Sequence, residues 1–344
     1  VNSERFECLD SLRFFLAMAV VLGHAVGWEN AVRNGALAVD FFFVLSGFVL
    51  SRSLMRRRRS LLHFSLERLA RLYPLHLITL VVLVSFTAWT RPLDHSDAIQ
   101  TILHATFLNG LGFTHQPSWN WPSWSISVEF TVNVAVVYAL ATYDLRKTAV
   151  LLVGICAAYF ALFRQDFMHA TIENRFFMSD GLIRGLMDIS FGYLVYVGYG
   201  YVRRSPRRNH RALQVATYGA FAGAAIILFC PPFRLFAFAS VGLMSVAILL
   251  LPVTETTLAA MLGAAPLPLL GAASFSVYLW HAPLLVIARQ YGWMTLERPS
   301  VLQCSLFVAG LTAFSIASYF WIELPAQRLL LGSKSSPKPL TSPA

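Results

Sequence analysis

Long apolar runs broken by short polar stretches dominate this chain. A helix crosses a bilayer with about 20 apolar residues. About ten runs approach that length, near residues 9–27, 36–54, 72–89, 122–142, 148–163, 180–202, 212–230, 235–252, 267–289 and 301–322. The run 148–163 is short, and little more than Pro231 and Pro232 separates the seventh run from the eighth. The stretch 98–113 is less apolar and reads as a loop helix, which leaves 90–121 as the longest connection. No internal repeat or second domain is evident. The pattern predicts an all-α, polytopic integral membrane helical bundle of about ten transmembrane helices. Residues 5–325 read as one transmembrane domain, and the Ser/Pro/Lys-rich segment 332–344 reads as a disordered cytoplasmic tail.

Composition agrees with this threading. Of 344 residues, 57% are hydrophobic and 13% charged, against about 25% charged in a soluble domain. Mean hydropathy is +0.60. Cys8, Cys156, Cys230 and Cys304 lie far apart without ligand spacing, so neither a disulfide framework nor a zinc site is expected. No basic segment and cleavage site precede the first run, so no signal peptide is expected.

Threading ten spans puts both termini on one side. That side holds most of the 27 Lys and Arg residues, including Arg56 to Arg59 and the basic loop 203–211. Basic loops mark the cytoplasmic side, so both termini are expected there. The net charge of +10 then reflects orientation and anionic lipid, and no nucleic-acid partner is expected.

Ionisable groups inside spans are costly and mark candidate chemistry. Arg13 and His24 share one face of the first run, roughly 16 Å apart along the axis. They read equally well as a functional pair or as two side chains reaching opposite interfaces. Asp40 opens the second run ahead of Ser46 and Gly47, either as a helix cap or as a buried carboxylate. Glu129 lies about two turns into the fourth run, too deep for a cap. The threading places His24, Asp40 and Glu129 in the outer half, where a carboxylate could orient a histidine acting as general base. On the cytoplasmic side, Arg68 and Arg71 share a helical face and suit phosphate groups. Arg56 to Arg59 read instead as topogenic. His281, two residues before Pro283, either lines a cavity or bonds a freed carbonyl. Glu323 sits at the cytoplasmic end of the last run, either opposite an arginine or at the plain interface. The remaining histidines form no metal-ligand pattern, and no metal is expected.

Six motifs in order resemble the acyltransferase 3 family of membrane acyltransferases. They are Leu9-Asp10-Ser11-Leu12-Arg13 with His24; Val39-Asp40-Phe41-Phe42-Phe43-Val44-Leu45-Ser46-Gly47-Phe48; and Phe64 with Arg68, Arg71, Tyr73 and Pro74. Then follow Trp124-Ser125-Ile126-Ser127-Val128-Glu129, Ser274-Phe275-Ser276-Val277-Tyr278-Leu279-Trp280-His281, and Glu323-Leu324-Pro325. Ser11, Phe14 and Ala38 stand where glycines are common in that family.

The resemblance implies transfer of an acyl group, often acetyl, from cytoplasmic acyl-CoA to a hydroxyl of a carbohydrate or glycolipid. It implies residence in a bacterial inner membrane. The family's essential Arg and His correspond to Arg13 and His24, and its Arg-x-x-Arg pair to Arg68 and Arg71. The expected mechanism is direct transfer. Arg13, Arg68 and Arg71 hold the CoA phosphates, His24 takes the hydroxyl proton, and Glu129 or Asp40 orients it. An acyl-histidine intermediate is the less favoured route. The competing function is a transporter or flippase for a lipid-linked sugar, in which the same groups relay protons.

Overall fold

The computed structural model describes residues 6–27, 32–114, 118–163, 174–175, 178–205, 209–230, 234–295 and 299–332. The described residues are helical almost throughout. The helices are α1 (Glu7–Val26), α2 (Ala38–Arg56), α3 (Leu61–Thr90), α4 (His95–Ala105), α5 (Trp124–Val132), α6 (Tyr138–Tyr143), α7 (Arg146–Phe163) and α8 (Asp180–Arg204). They continue as α9 (His210–Phe229), α10 (Arg234–Leu250), α11 (Thr257–Gly263), α12 (Leu267–Ala272), α13 (Ser274–Gln290), α14 (Val301–Ser318) and α15 (Leu324–Leu331). Asn174–Arg175 and Met178–Ser179 pair as a two-stranded antiparallel ribbon. The expected disordered tail, 332–344, lies outside the described residues except for Gly332.

Seven helical segments are long and apolar enough to cross a membrane among the described residues. They match seven of the expected runs, and the other three differ for physical reasons. The helix α8 has the length but carries Asp180, Arg184 and Asp188 near its start. The helix α10 has 17 residues. The run 267–289 is divided at Ala273 into α12 and α13. The chain is an integral membrane helical protein.

Two spans contain a π-helical turn. Asn133–Val137 joins α5 to α6, closed by Tyr138 N–H on Asn133 O. Tyr319–Glu323 joins α14 to α15, closed by Leu324 N–H on Tyr319 O. Both follow the i→i+5 pattern that is frequent near functional sites.

Small residues set the closest helix contacts. The helices α2 and α8 cross where a Cβ on Gly47 would lie 2.0 Å from Ile189 O, and one on Gly192 would lie 2.1 Å from Val44 O. Ordinary side chains would hold these backbones apart. The helices α1 and α12 meet as closely, with a Gly271 Cβ falling 2.1 Å from Asp10 O.

The helix α3 begins at Leu61, well before the expected start at 72. Ser60 caps it by accepting from His63 N at 3.3 Å. This extension carries Arg68 and Arg71 into the bundle. The long connection contains the expected loop helix as α4, held by a reciprocal capping box between Asp94 and Asp97. Arg91 grips Asp97 at 2.6 and 2.9 Å and holds its carboxyl below the usual carboxylate range. His76 on α3 reaches His104 O at 2.8 Å, and the His104 ring contacts Ser118 and Ser123 at 3.2 and 3.3 Å. These two histidines, assigned no role from sequence, fasten the connection over α3.

Candidate active site

His24 lies near the end of α1, half-buried, against α13. Its Nδ1 is 3.0 Å from Nε2 of His281. The two rings are near parallel, 8° apart in plane with centroids 5.2 Å apart. His281 is fully buried, and its Nδ1 is 2.6 Å from Tyr278 O. The edge of Trp121 meets His24 at 5.9 Å between centroids.

The local sequence explains this placement. Pro283 has no N–H to offer Leu279 O, and Asn120 Nδ2 fills that role at 2.9 Å. Tyr278 OH donates to Pro122 O at 3.0 Å and contacts Ser125 Oγ at 2.9 Å. The residues around the proline therefore tie α13 to the start of α5. Arg289, further along α13, donates to the carbonyls of His24 and Ala25 at 3.0 and 3.2 Å, satisfying the end of α1.

A second cluster forms toward the start of α1. Arg68 Nη2 donates to Glu129 Oε1 at 2.7 Å. Ser46 Oγ donates to the same oxygen at 2.8 Å, and Asn133 Nδ2 donates to Ser46 Oγ at 3.0 Å. Asn133 also opens the first π-turn. Glu323, in the second π-turn, accepts from Ser276 Oγ. Ser276 Oγ also contacts Ser318 Oγ at 3.2 Å, where the Ser318 hydroxyl is left to donate, and Trp280 Nε1 donates to Ser318 Oγ at 2.9 Å. Arg13 and Arg71 lie within electrostatic range of both Glu323 and Arg68. Arg13 is also 3.8 Å from Asp10. The structure thus gathers Arg13, Arg68 and Arg71, drawn from α1 and α3, between two buried or half-buried carboxylates. Arg68 Nε is buried without a hydrogen-bond partner among the described residues.

The carboxylates are engaged differently from the arrangement expected from sequence. Glu129 pairs with Arg68, so the two lie at one depth rather than in opposite halves of the bilayer. The early start of α3 is the reason. Asp40 is fully buried and takes a bidentate bond from Arg184, with Nε to Oδ1 at 2.6 Å and Nη2 to Oδ2 at 2.5 Å. Arg184 Nη2 also donates to Ala36 O at 3.0 Å. This pair sits at the α2–α8 contact. The group that meets Nδ1 of His24 is His281. Sequence patterning marks His281 as an ionisable group inside a span, but it matches neither His281 nor Arg184 to its partner, 257 and 144 residues away.

Residues 6–321 match the family of the acyltransferase domain. The chain belongs to the acyltransferase 3 family. BcsY of Komagataeibacter xylinus, whose name places it among membrane-bound transacylases, is 27% identical over 298 residues, covering 81% of this chain and 73% of that one. Acyltransferase MdmB of Streptomyces mycarofaciens is 30% identical over 171 residues, 45% of this chain and 43% of that one. Peptidoglycan O-acetyltransferase OatA of Listeria monocytogenes is 23% identical over 353 residues, 93% of this chain and 55% of that one. The chain thus aligns with about half the length of the last two relatives. No solved structure matches it. An acyltransferase 3 domain carrying the gathered arginines and the histidine pair is a membrane-embedded acyltransferase, and the transporter reading gains no support from these relatives.

Proposed function

We propose that this acyltransferase moves an acyl group, acetyl in the first instance, from acyl-CoA to a hydroxyl of a carbohydrate or glycolipid, with His24 as general base. The observation that carries this reading is the arrangement along α1. Arg13 stands in a cluster of arginines at one end, and His24 stands in a histidine pair about 16 Å away at the other. A phosphate-bearing donor fits the first end, because Arg13, Arg68 and Arg71 offer planar, permanently charged donors. A hydroxyl acceptor fits the second.

In this mechanism the donor enters from the cytoplasm, with both termini on that side of a bacterial inner membrane. The arginines hold the CoA phosphates while the pantetheine arm extends along the bundle toward His24. His24 takes the proton from the acceptor hydroxyl, and the oxygen attacks the thioester carbonyl. The carbon–sulfur bond breaks, an ester forms, and the CoA thiolate recovers the proton from His24. No acyl-histidine is needed. A carbohydrate acceptor draws support from the relative named as a peptidoglycan O-acetyltransferase.

The test is transfer from labelled acetyl-CoA by purified protein in lipid nanodiscs, with surface glycans and lipid-linked sugars as acceptors. His24→Ala is expected to insert normally and to lose transfer. Retained transfer by that variant would remove His24 as the base, and consumption of no acetyl-CoA by the wild type would remove the donor.

A further inference from the structure

The contact between His24 and His281 has a direction, because of what lies behind it. Tyr278 O can only accept a hydrogen bond, so the ring nitrogen 2.6 Å from it, His281 Nδ1, carries the hydrogen. The His281 ring is fully enclosed, where an imidazolium is expensive. A neutral ring with hydrogen on Nδ1 has its lone pair on Nε2. The 3.0 Å contact with His24 then requires hydrogen on Nδ1 of His24. Neutral His24 is left with its lone pair on Nε2.

We propose that His281 is the positioning residue that fixes this tautomer, so that Nε2 of His24 is the atom that takes the acceptor's proton. This rests on the reading of His24 as general base. It assigns to a second histidine the role that sequence patterning suggests for a carboxylate. When Nε2 gains the hydroxyl proton, the resulting imidazolium keeps its Nδ1–H directed at the His281 lone pair. The His281 lone pair accepts from that Nδ1–H and steadies the positive charge on His24 until the thiolate removes the proton. Protonating His281 beforehand reverses the chain. Its Nε2–H would claim the Nδ1 lone pair of His24 and leave a hydrogen on the nitrogen that must act.

The arrangement is held by backbone geometry. Tyr278 O and the His281 ring belong to one helical turn, and the turn is tied down by Asn120 on Leu279 O and by Ser125 and Pro122 on the Tyr278 hydroxyl. The carbonyl that sets the direction cannot rotate independently of α13.

The experiment compares wild type, His281→Ala and His281→Gln in nanodiscs with 15N-labelled histidine. Ring nitrogen shifts report which nitrogen of His24 is protonated, and His24→Ala supplies the assignment. In wild type, Nδ1 of His24 is expected to be protonated and Nε2 not. His281→Ala should mix the two tautomers and lower kcat about tenfold or more, with KM for acetyl-CoA changed less than about twofold. His281→Gln, whose amide oxygen accepts from Nδ1–H, should restore most of kcat. A wild-type spectrum with Nε2 of His24 protonated would overturn the proposal even if the alanine variant fails to fold. So would equal losses in the Ala and Gln variants, or no loss in either. If His24→Ala itself retains transfer, the general-base reading fails instead.

Discussion

Arg68 and Glu129 meet at 2.7 Å across 61 residues, one from the first third of α3 and the other from α5. Their union explains how a charged pair persists inside an apolar bundle. Each charge faces the other, and Ser46 donates to the same carboxylate oxygen. A buried group stripped of its partner is costly, so this pair is held in place once formed.

That pairing predicts a hierarchy at the donor end. Arg68→Ala should raise KM for acetyl-CoA strongly and weaken its binding, because a phosphate-facing guanidinium is lost. Arg68→Lys should recover little, since an ammonium cannot hold Glu129 and a phosphate with the same planar fork. Equilibrium binding of labelled acetyl-CoA to nanodisc-held protein measures both. Unchanged affinity in Arg68→Ala would exclude the phosphate role.

Asp40 should behave as a structural residue. Asp40→Ala removes the bidentate partner of Arg184 at the α2–α8 contact, which should cost about 3–5 kcal/mol of stability. Thermal unfolding in detergent should show a lower midpoint. Turnover per folded molecule should stay close to wild type, and a large fall in that quantity would give Asp40 a chemical role.

The close crossing of α2 and α8 gives a second stability prediction. Gly47→Ala would place a methyl 2.0 Å from Ile189 O, forcing the helices apart at a cost of about 1–3 kcal/mol. Expression and thermal midpoint should fall together. A Cβ on Gly154 would meet nothing within 4 Å. That position should tolerate alanine, which makes Gly154→Ala the control.

The exposed connection carries a pH-dependent contact. Arg91 holds the Asp97 carboxyl below its usual range, so the carboxylate is favoured more in the folded than in the unfolded chain. The contribution is present above the unfolded value of about 3.9 and is lost as pH falls through the lower folded value. Carbon NMR of Asp97 should therefore titrate below about pH 3.9. Arg91→Ala should move that midpoint upward, and an unmoved midpoint would assign the effect to the helix cap alone.

Much of this architecture is legible in the sequence because lipid imposes a long, uniform apolar signal. The spans containing Arg13, His24 and Glu129 follow from it directly. The shared face of Arg68 and Arg71 also follows, from helical spacing, while their grouping with Arg13 is what the family resemblance implies. What sequence does not supply is depth and pairing. The start of α3 hinges on the cap at Ser60, hidden behind four consecutive arginines, and eleven residues of additional helix, 61–71, bring Arg68 to Glu129. The link between His24 and His281 depends on how α13 seats beside α1, which no local pattern encodes. The engagement of Asp40 is hidden for the same reason, since its guanidinium partner lies on a helix far along the chain.

The two π-turns carry a consequence for how related sequences are compared. A turn closed five residues back holds one residue more than its α-helical counterpart, so everything beyond it is rotated by roughly 100° about the axis. The segments before and after Asn133–Val137, or before and after Tyr319–Glu323, therefore obey two different angular phases. A single-residue deletion within either turn would let it close as ordinary α-helix with the remainder on its present faces, whereas an alignment that misses the extra residue would exchange lipid-facing positions for interior ones.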